Sequence, residues 1–398
     1  MRRYWKIISI CLVTILVIGT FYIQSSFATS NSLNIGVEHV TGNEDELQNI
    51  VLYGNFSPNH HYLNQSFQMT NEETIDLTKL SFFQRVSGTG APDPLEELIE
   101  KHKNFMRSKD LTPNQFFEDE NAVVYAQIKD PYDLPVKDLT FEIEVLTKKS
   151  EDITAFQVDV PQKENYGWMR IVDVQVIDHE LKVIVRGERA ILRVYTFDMN
   201  KQQLVSDDTI ASIPKVESSG SDLSIINDTY YSIQRQKYLL IKIEVFDKDR
   251  RYIDDIPNLI VNEFIVYDIE NNQTKKIVKP NEIVESMDHS SAVHHSTVLI
   301  PSRTANGVEV SQYDIESDKW GETLSFDLSE TKAVEGESFT KLMSGKLYTI
   351  HATTSGHTIV IGDLETGESL YEGKLKVTYQ GAEQKNYRLY FHEIESVQ

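Results

Sequence analysis

The feature that most constrains the fold is a two-residue alternation of apolar and polar side chains, which recurs from Leu33 to the end of the chain. In residues 172–176, for example, three valines alternate with an aspartate and a glutamine. Successive side chains of a strand point to opposite faces of its sheet, so this period is typical of β-strands. Polar clusters interrupt the runs about every 8–12 residues, which predicts an antiparallel all-β chain. The other runs are at 139–146, 181–185, 191–195, 238–245, 263–267, 308–313, 347–351 and 358–361.

Four of the predicted hairpins share one pattern, in which an apolar strand is followed by an aspartate, a polar turn and a second strand. The aspartates are at positions 198, 268, 314 and 363, so they stand 70, 46 and 49 residues apart. Residues 144–147 are a fifth candidate, about one unit before position 198. Periods of about 40–50 residues with four short strands each indicate propeller blades. We expect each aspartate to accept a hydrogen bond from the backbone of its turn.

Residues 120–376 resemble the repeats of bacterial β-propellers, whose hairpin turns include the patterns YDIxT and xDLxTG. The turn at 363–367, Asp-Leu-Glu-Thr-Gly, is the nearest match, and no specific propeller family is identified. The resemblance implies a β-propeller-like ring of about six or seven four-stranded blades. Tandem β-sandwiches are the alternative, for which the linker-like stretch 216–222 is a candidate boundary. The predicted blades are 33–86, 120–162, 165–212, 222–280, 290–328 and 335–376, and 387–393 would close the ring by pairing with the N-terminal strands.

Residues 91–119 interrupt the β pattern with a predicted helical insertion. Asp93 and Pro94 suit the N-cap and the first helical position. Glu97 and Lys101 have the spacing of an ion pair along one helix face. Because the insertion stands apart from the predicted sheets, we expect it to be a contact surface for a partner. Its apolar stripe consists of Leu95, Leu98, Ile99, His102 and Met106.

Residues 1–28 are of a different kind. Three basic residues among the first six precede an uncharged stretch, 7–23, and Ser26 and Ala28 have the small-x-small spacing that a signal peptidase recognises. The segment is therefore a membrane anchor or a signal peptide, and a helix over 7–23 would cover about 25 Å of a hydrocarbon core of about 30 Å. We predict a single-pass membrane protein whose domain 29–398 lies outside the cytoplasm, with secretion after cleavage at Ala28 as the alternative.

Composition excludes several classes of function. The 398 residues include one cysteine, Cys11, which rules out a disulfide framework and a thiolate zinc site. Asp and Glu number 61 against 39 Lys and Arg, a net charge of -22. A nucleic acid is therefore not expected as a partner, because binding phosphates requires a basic surface.

Histidine-rich loops supply the candidate binding residues. The exposed loop 57–62 ends in His60, His61 and Tyr62, and Asp288 and His289 precede a second histidine pair that ends at His295. Adjacent side chains of a strand point to opposite faces, so a histidine pair offers one metal ligand at most. We therefore predict binding residues in these two loops and no metal site.

Carboxylate clusters at 43–46, 247–249 and 254–255 contain the oxygen ligands that Ca²⁺ prefers. None has EF-hand spacing, so the sequence predicts solvated charged turns, with weak Ca²⁺ binding as the alternative and no other cofactor. Aromatic residues are plentiful and suit a carbohydrate or peptide groove, although most are predicted to pack between sheets. The candidates are Trp168, Tyr195, Tyr230, Tyr231, Tyr313 and Trp320.

The sequence predicts a binding function, because its β repeat is clear and it contains no nucleophile elbow or phosphate-binding loop. We expect a binding, sensing or scaffold protein at the outer face of a bacterial membrane, with a membrane protein or a cell-envelope component as partner. The alternative is an exported hydrolase or lyase that acts on a cell-wall polymer or carbohydrate. That alternative would require convergence of some of Asp288, His289, His294, His351 and His357 at a channel mouth.

Overall fold

A computed structural model describes most of the chain beyond residue 32. The described residues are 13–14, 33–58, 65–80, 94–129, 139–188, 191–214, 216, 219–226, 233–247, 259–278, 290–304, 306–327, 333–354, 356–379, 382–384 and 387–396. The predicted anchor or signal segment lies outside these ranges, apart from Val13 and Thr14. None of the helices in the described ranges is long and apolar enough to cross a membrane.

The described elements are almost all strands. Those of the first half are β1 (Asn34–Gly42), β2 (Ile50–Pro58), β3 (Gln65–Met69), β4 (Thr74–Asp76), β5 (Phe116–Glu118), β6 (Ala122–Lys129), β7 (Thr140–Thr147), β8 (Asp152–Asp159), β9 (Met169–Ile177), β10 (Glu180–Gly187), β11 (Ile191–Asp198) and β12 (Gln203–Ser212). Two helices, α1 (Pro94–Lys101) and α2 (Lys103–Met106), precede β5. Short 3₁₀ turns lie at Glu44–Leu47, Leu77–Lys79, Pro113–Gln115 and Lys163–Asn165.

The second half contains only strands among its described elements. They are β13 (Ser219–Ile225), β14 (Tyr238–Asp247), β15 (Leu259–Asp268), β16 (Gln273–Lys276), β17 (Ala292–His294), β18 (Thr297–Arg303), β19 (Gly307–Asp314), β20 (Lys319–Trp320), β21 (Leu324–Asp327), β22 (Ala333–Met343), β23 (Lys346–Thr353), β24 (Gly356–Asp363), β25 (Ser369–Tyr379), β26 (Ala382–Glu383) and β27 (Tyr387–Ser396).

The described strands form six sheets, numbered here in chain order, and their connectivity is that of an all-β, propeller-like fold. Sheets 2 to 5 each take consecutive strands, as predicted for 120–162, 165–212, 222–280 and 290–328. The bounds differ in two places, because β5 (Phe116–Glu118) joins sheet 2 from within the predicted helical insertion and β13 begins at Ser219. Their strand orders are β5-β6-β7-β8, β12-β11-β10-β9, β13-β14-β15-β16 and β17-β18-β19-β20, and β21 pairs with β19. Sheet 1 has the order β27-β2-β3-β4, and sheet 6 has the order β1-β25-β24-β23-β22, with β26 paired to β25.

The chain divides into two compact units. Unit 1 comprises Met1–Ala91, Arg303–Glu309 and Leu324–Gln398, and unit 2 comprises Pro92–Ser302 and Val310–Thr323. Sheets 1 and 6 belong to unit 1, whereas the helices and sheets 2 to 4 belong to unit 2.

In unit 1 the two ends of the described chain exchange strands. β27 pairs with β2 from Ile50↔Ser396 to Pro58↔Tyr387, which confirms the predicted pairing of 387–393 with the N-terminal strands. The predicted blade 33–86 is wrong in one respect, because β1 leaves it and pairs with β25 of sheet 6. The chain turns between the two sheets at Gly42, where φ is +91° and a Cβ would lie 2.1 Å from the Leu370 carbonyl oxygen. Only glycine fits that position.

One apolar core holds sheets 1 and 6 together. Phe56, Phe67 and Phe391 from sheet 1 and Ile359 and Ile361 from sheet 6 are each at most 3% exposed. Phe67 and Phe391 meet edge to face, with ring centroids 5.6 Å apart. The exchanged strands β1 and β27 therefore both contribute side chains to the apolar core between sheets 1 and 6.

In unit 2 each sheet packs on the next through alternate side chains. Tyr195 and Phe197 of sheet 3 pack on Phe141 of sheet 2, with ring centroids 4.8 and 5.2 Å from it. The opposite face of sheet 3 packs on sheet 4, where Ile184 and Leu239 are both fully buried. Both faces of sheet 3 are thus apolar cores, so a polar side chain on either face is exceptional.

The helical insertion is part of the core of unit 2, so its predicted role as a contact surface is wrong for its apolar stripe. Leu95 and Leu98 of α1 and Phe105 of α2 are at most 2% exposed and pack against Val123 and Tyr125 of β6. The outer Glu97–Lys101 ion pair forms as predicted. The helices cover an apolar face of sheet 2 that would otherwise contact water.

The predicted linker 216–222 is also wrong, because residues from Ser219 onward form β13. This strand pairs with β14 from Ser219↔Asp247 to Ile225↔Ile241. Its serines and glycine lower the apparent strand propensity, but β14 beside it provides a row of backbone partners.

The repeated aspartates have the predicted turn function. Asp198 Oδ1 accepts hydrogen bonds from Asn200 N and Lys201 N, both at 3.0 Å. Asp363 Oδ1 accepts from Glu365 N at 2.7 Å and from Thr366 N at 2.8 Å. The aspartates at 268 and 314 accept in the same way from residues 271 and 317, at 3.0 and 2.6 Å. The sequence repeat therefore marks four hairpin turns with the same polar bonding.

The exchanged strand β27 offers a direct test of the core between sheets 1 and 6. We expect Phe391→Ala to lower the free energy of unfolding by about 3 kcal/mol, because it removes a buried ring and leaves a cavity. Tyr390→Ala on the same strand is the matched control, since Tyr390 is 50% exposed, and should cost less than about 1 kcal/mol. Urea denaturation followed by circular dichroism measures both. Equal losses in the two variants would contradict the assigned faces of β27.

Candidate functional site

Of the six predicted binding residues, the structure describes one. His295 lies exposed in the turn between β17 and β18, with φ of 53°, and its ring centroid is 4.1 Å from that of His294. The other five lie outside the described residues, so their role stays a prediction. They are His60, His61, Tyr62, Asp288 and His289.

Two histidines of the enzyme alternative, His351 and His357, do not converge. His351 pairs with Thr358, the residue after His357, so the two histidines point to opposite faces of sheet 6. His351 Nε2 lies 3.0 Å from Thr349 Oγ1, whereas His357 stacks on Tyr387 with ring centroids 5.5 Å apart. Burial lowers the pKa of each to about 4, and Arg303 adds to the effect at His351. Both rings are therefore neutral at physiological pH and are held by separate neighbours.

The acidic cluster at 43–46 is occupied by internal contacts. Asn43 caps its 3₁₀ turn by accepting from Asp45 N, and Glu46 forms an ion pair with Lys346 at 2.5 Å. Within the described ranges, no three His, Cys, Asp or Glu side chains are grouped as a metal site would require. Of the other two acidic clusters, 247–249 and 254–255, only Asp247 belongs to the described residues.

A cavity of about 500 Å³ in unit 2 is the candidate site. It is lined by Gly167, Trp168, Arg170 and Arg186. Its volume falls in the range that binds small ligands in proteins, about 300–1,000 Å³. Of the other aromatic candidates, Tyr195 and Tyr313 are core residues that are at most 1% exposed, and Trp320 is partly buried. Tyr230 and Tyr231 lie outside the described residues. Trp168 is only partly buried and therefore keeps part of its indole available to a ligand.

The two arginines stand side by side because of strand register. Arg170 of β9 pairs directly with Arg186 of β10, so both side chains leave the same face of sheet 3. Like charges in such a pair repel each other, and Asp222 of β13 relieves the repulsion by accepting from Arg186 Nη2 at 2.9 Å. Arg186 is thereby oriented, while exposed Arg170 forms no ion pair with the residues that the structure describes.

The segment that carries Trp168 is tied to the end of β10. Gly167 N donates to Glu188 Oε2 at 2.8 Å, and Glu188 N donates to the Trp168 carbonyl oxygen at 3.2 Å. A Cβ at Gly167 would lie 2.7 Å from Glu188 Oε2, so a side chain there would displace the carboxylate. These bonds hold the backbone of the segment that carries Trp168 against the end of β10.

A β-bulge extends this polar face inward to a buried carboxyl group. Asp173 pairs with Ile184 and Ile171 with Val185, which leaves Val172 without an opposite residue. Arg170 and Asp173 therefore share a face although three positions separate them. Asp173 accepts from Gln175 Nε2 at 3.1 Å and from Val174 N at 2.9 Å. Burial raises its pKa to about 6, and the two hydrogen bonds oppose that rise.

Lys182 lies on the same face and is also buried. Its Nζ donates to the Ile269 carbonyl oxygen and to the Glu270 carbonyl oxygen, the latter at 3.3 Å. Gln175 also accepts from Gln236 N at 2.9 Å. This network fixes the turn after β15 and the segment before β14 to the sheet that carries the cavity, and so makes the site rigid.

The arginines of this site were not found from the sequence. Trp168 was a candidate because of its residue type, but Arg170 and Arg186 stand 16 positions apart in runs that indicated only strands. Their proximity depends on the register of β9 and β10 and on the bulge. One signal was available in the sequence: the two arginines lie at nearly equal distances on either side of the turn at 178–179, so a hairpin there would bring them close together.

Comparison with known proteins identifies no family, since no protein-family model and no curated sequence matches the chain. Solved structures with similarity include TolB from Acinetobacter baumannii, at 10% identity and a TM-score of 0.30 over 87% of this chain and 67% of that one. The β-propeller domain of the Trilobed protease from Pyrococcus furiosus gives 10% identity and 0.29 over 88% and 97%. A chain of the nidogen/laminin complex gives 9% and 0.28 over 85% and 96%. The assignment of the fold rests on the sheets described above.

The buried carboxyl group predicts a pH-dependent stability. A folded-state pKa of about 6, above the ordinary 3.8, means that Asp173 favours the folded state when protonated and that this contribution is lost as pH rises from about 4 through 6. We expect Asp173→Asn to raise the free energy of unfolding by about 3 kcal/mol at pH 7.5 and to leave it unchanged near pH 3.5.

Urea denaturation at the two pH values measures this difference. Asp178→Asn is the control, because Asp178 is exposed in the turn between β9 and β10 and the change should have little effect at either pH. If Asp173→Asn raised the free energy of unfolding equally at both pH values, this would contradict the burial of an ionisable carboxyl group at Asp173.

Proposed function

We propose that this chain is an extracytoplasmic binding protein that holds a component of the bacterial cell envelope in the Trp168 cavity. The observation that carries the proposal is the cavity itself, in which an aromatic face and two guanidinium groups surround about 500 Å³. Binding sites combine apolar or aromatic walls with a few placed polar groups in this way. The N-terminal segment of the sequence, with its basic start and apolar stretch, supports a place at the outer face of the membrane.

The residues around the cavity suit recognition. Arg186 is held by Asp222, and the Trp168 segment is held by Glu188, so little conformational freedom is lost when a ligand binds. Aromatic and arginine side chains with fixed positions are the residues that contribute most to binding energy in protein interfaces. A rigid sheet with these groups at one edge serves a binding, sensing or scaffold function.

The binding role can be tested by sedimentation of the purified full-length chain with isolated, insoluble cell-wall sacculi. We expect saturable binding, with Trp168→Ala lowering the affinity about tenfold because it removes the aromatic face. Tyr390→Ala is the control for loss of an exposed aromatic residue in the other unit, and it should bind as the unmodified chain does.

Two results would contradict this proposal. If the Trp168→Ala variant sediments with the sacculi as the unmodified chain does, the cavity does not take part in the binding. Release of soluble sugar from the sacculi by the chain would instead favour the exported hydrolase.

The location is tested separately. With a C-terminal tag on the full-length chain, we expect external protease to remove the tag from intact cells and mass spectrometry of the membrane fraction to recover the Met1 peptide. A chain that begins at Thr29 in the medium would establish secretion, and a protected tag would contradict an extracytoplasmic domain.

A further inference from the structure

We infer that the ligand of the Trp168 cavity is a glycan with a single carboxylate group near the bound sugar. This inference rests on the proposed binding function. The indole of Trp168 would stack on a sugar ring, and Arg170 would bind the carboxylate.

The aromatic face fits a sugar ring. Among the described residues that line the cavity, Trp168 is the one aromatic residue, and it lies beside two arginines. An amphipathic ring such as indole packs well on a ligand that has both apolar and polar edges. A pyranose presents C–H groups on its face and hydroxyl groups around its rim, which matches this arrangement better than a purely apolar side chain does.

Donors and acceptors are both present, as sugar hydroxyl groups require. Arg170 and Arg186 supply N–H donors, and a hydroxyl group both donates and accepts. The carboxylates of Asp222 and Glu188 contact Arg186 and Gly167 and keep acceptor capacity, since Asp222 is 48% exposed and contacts Arg186 through Oδ1. Such a mixture of charges favours a polyhydroxylated ligand over a simple anion.

Among the described residues, one guanidinium group of the site is not paired with a carboxylate. Asp222 neutralises Arg186, whereas Arg170 has no ion-pair partner among the residues of the described ranges. A guanidinium binds a carboxylate through two parallel hydrogen bonds. The net charge of the chain, -22, repels a densely charged polymer at long range, so the negative groups of the ligand are sparse.

The test compares two disaccharides that differ by one O-lactyl substituent, which carries a carboxylate. N-acetylglucosaminyl-N-acetylmuramic acid carries the acidic group, and di-N-acetylchitobiose lacks it. We expect the full-length chain to bind the acidic disaccharide about tenfold more tightly in isothermal titration calorimetry at constant ionic strength. A disaccharide of glucuronic acid and N-acetylglucosamine, used in a third titration, distinguishes a wall glycan from a uronic-acid polysaccharide.

Arg170→Gln should abolish the preference for the acidic disaccharide, so that the acidic and the neutral disaccharide bind this variant with equal affinity. Because Arg170 is exposed, this variant is expected to fold, and circular dichroism checks that it does. Arg388→Gln, which removes an exposed arginine of the other unit, is the matched control for net charge and should keep the preference. Arg170→Lys should keep part of it, since a lysine retains the charge but not the paired donors.

The outcomes separate this inference from the proposed function. Equal affinity for the acidic and neutral disaccharides, or a preference that survives Arg170→Gln, would overturn the carboxylate assignment. Absence of binding to every disaccharide, together with Trp168-dependent sedimentation on sacculi, would overturn the glycan assignment and leave the binding function standing. If sedimentation is also independent of Trp168, the proposed function itself fails.

Discussion

Backbone pairing between distant strands is the constraint on which the rest of this fold depends. β27 closes sheet 1 by pairing with β2, and β1 extends sheet 6 by pairing with β25, so each end of the described chain is held by the sheet of the other. An unpaired strand edge exposes a row of hydrogen-bonding groups and invites association with other chains. The exchange pairs the edges of β2 and β25, with β27 and β1 as the new outer strands, and Phe391 and Ile35 carry the same connection into the core of unit 1.

Sheet 3 shows how a single extra residue converts a structural element into a candidate site. The bulge at Val172 places Arg170 and Asp173 on one face, where a regular strand would place them on opposite faces. At the protected end of that face Asp173 is buried among Gln175 and backbone groups, and at the open end Arg170 is exposed beside Trp168. Hydrogen-bonded polar groups at the buried end limit the conformational freedom that would be lost on binding a ligand, and the open end presents an exposed guanidinium group.

Much of the fold was predictable because its signals are local. The alternation of side chains depends only on neighbours in the chain, and the turn aspartates at 198, 268, 314 and 363 bond within three residues of themselves. The helical stripe was also correct, but its role was not, because the apolar face of β6 that it covers lies beyond the helix in sequence. The site was harder to predict from the sequence. Trp168 could be selected by its residue type, whereas Arg170 and Arg186 come together only through the register of β9 and β10.

The amino-acid sequence by itself determined the strand periods, the hairpin turns and the acidic charge, because each follows from composition or from residues close together in the chain. Tertiary structure alone decided which sheet receives β1, that the stretch after Ser219 is a strand, and that Asp222 meets Arg186 across 36 positions. These outcomes depend on long-range pairing, in which a strand is stabilised by whichever partner completes its hydrogen bonds and covers its apolar face. No local pattern encodes that choice.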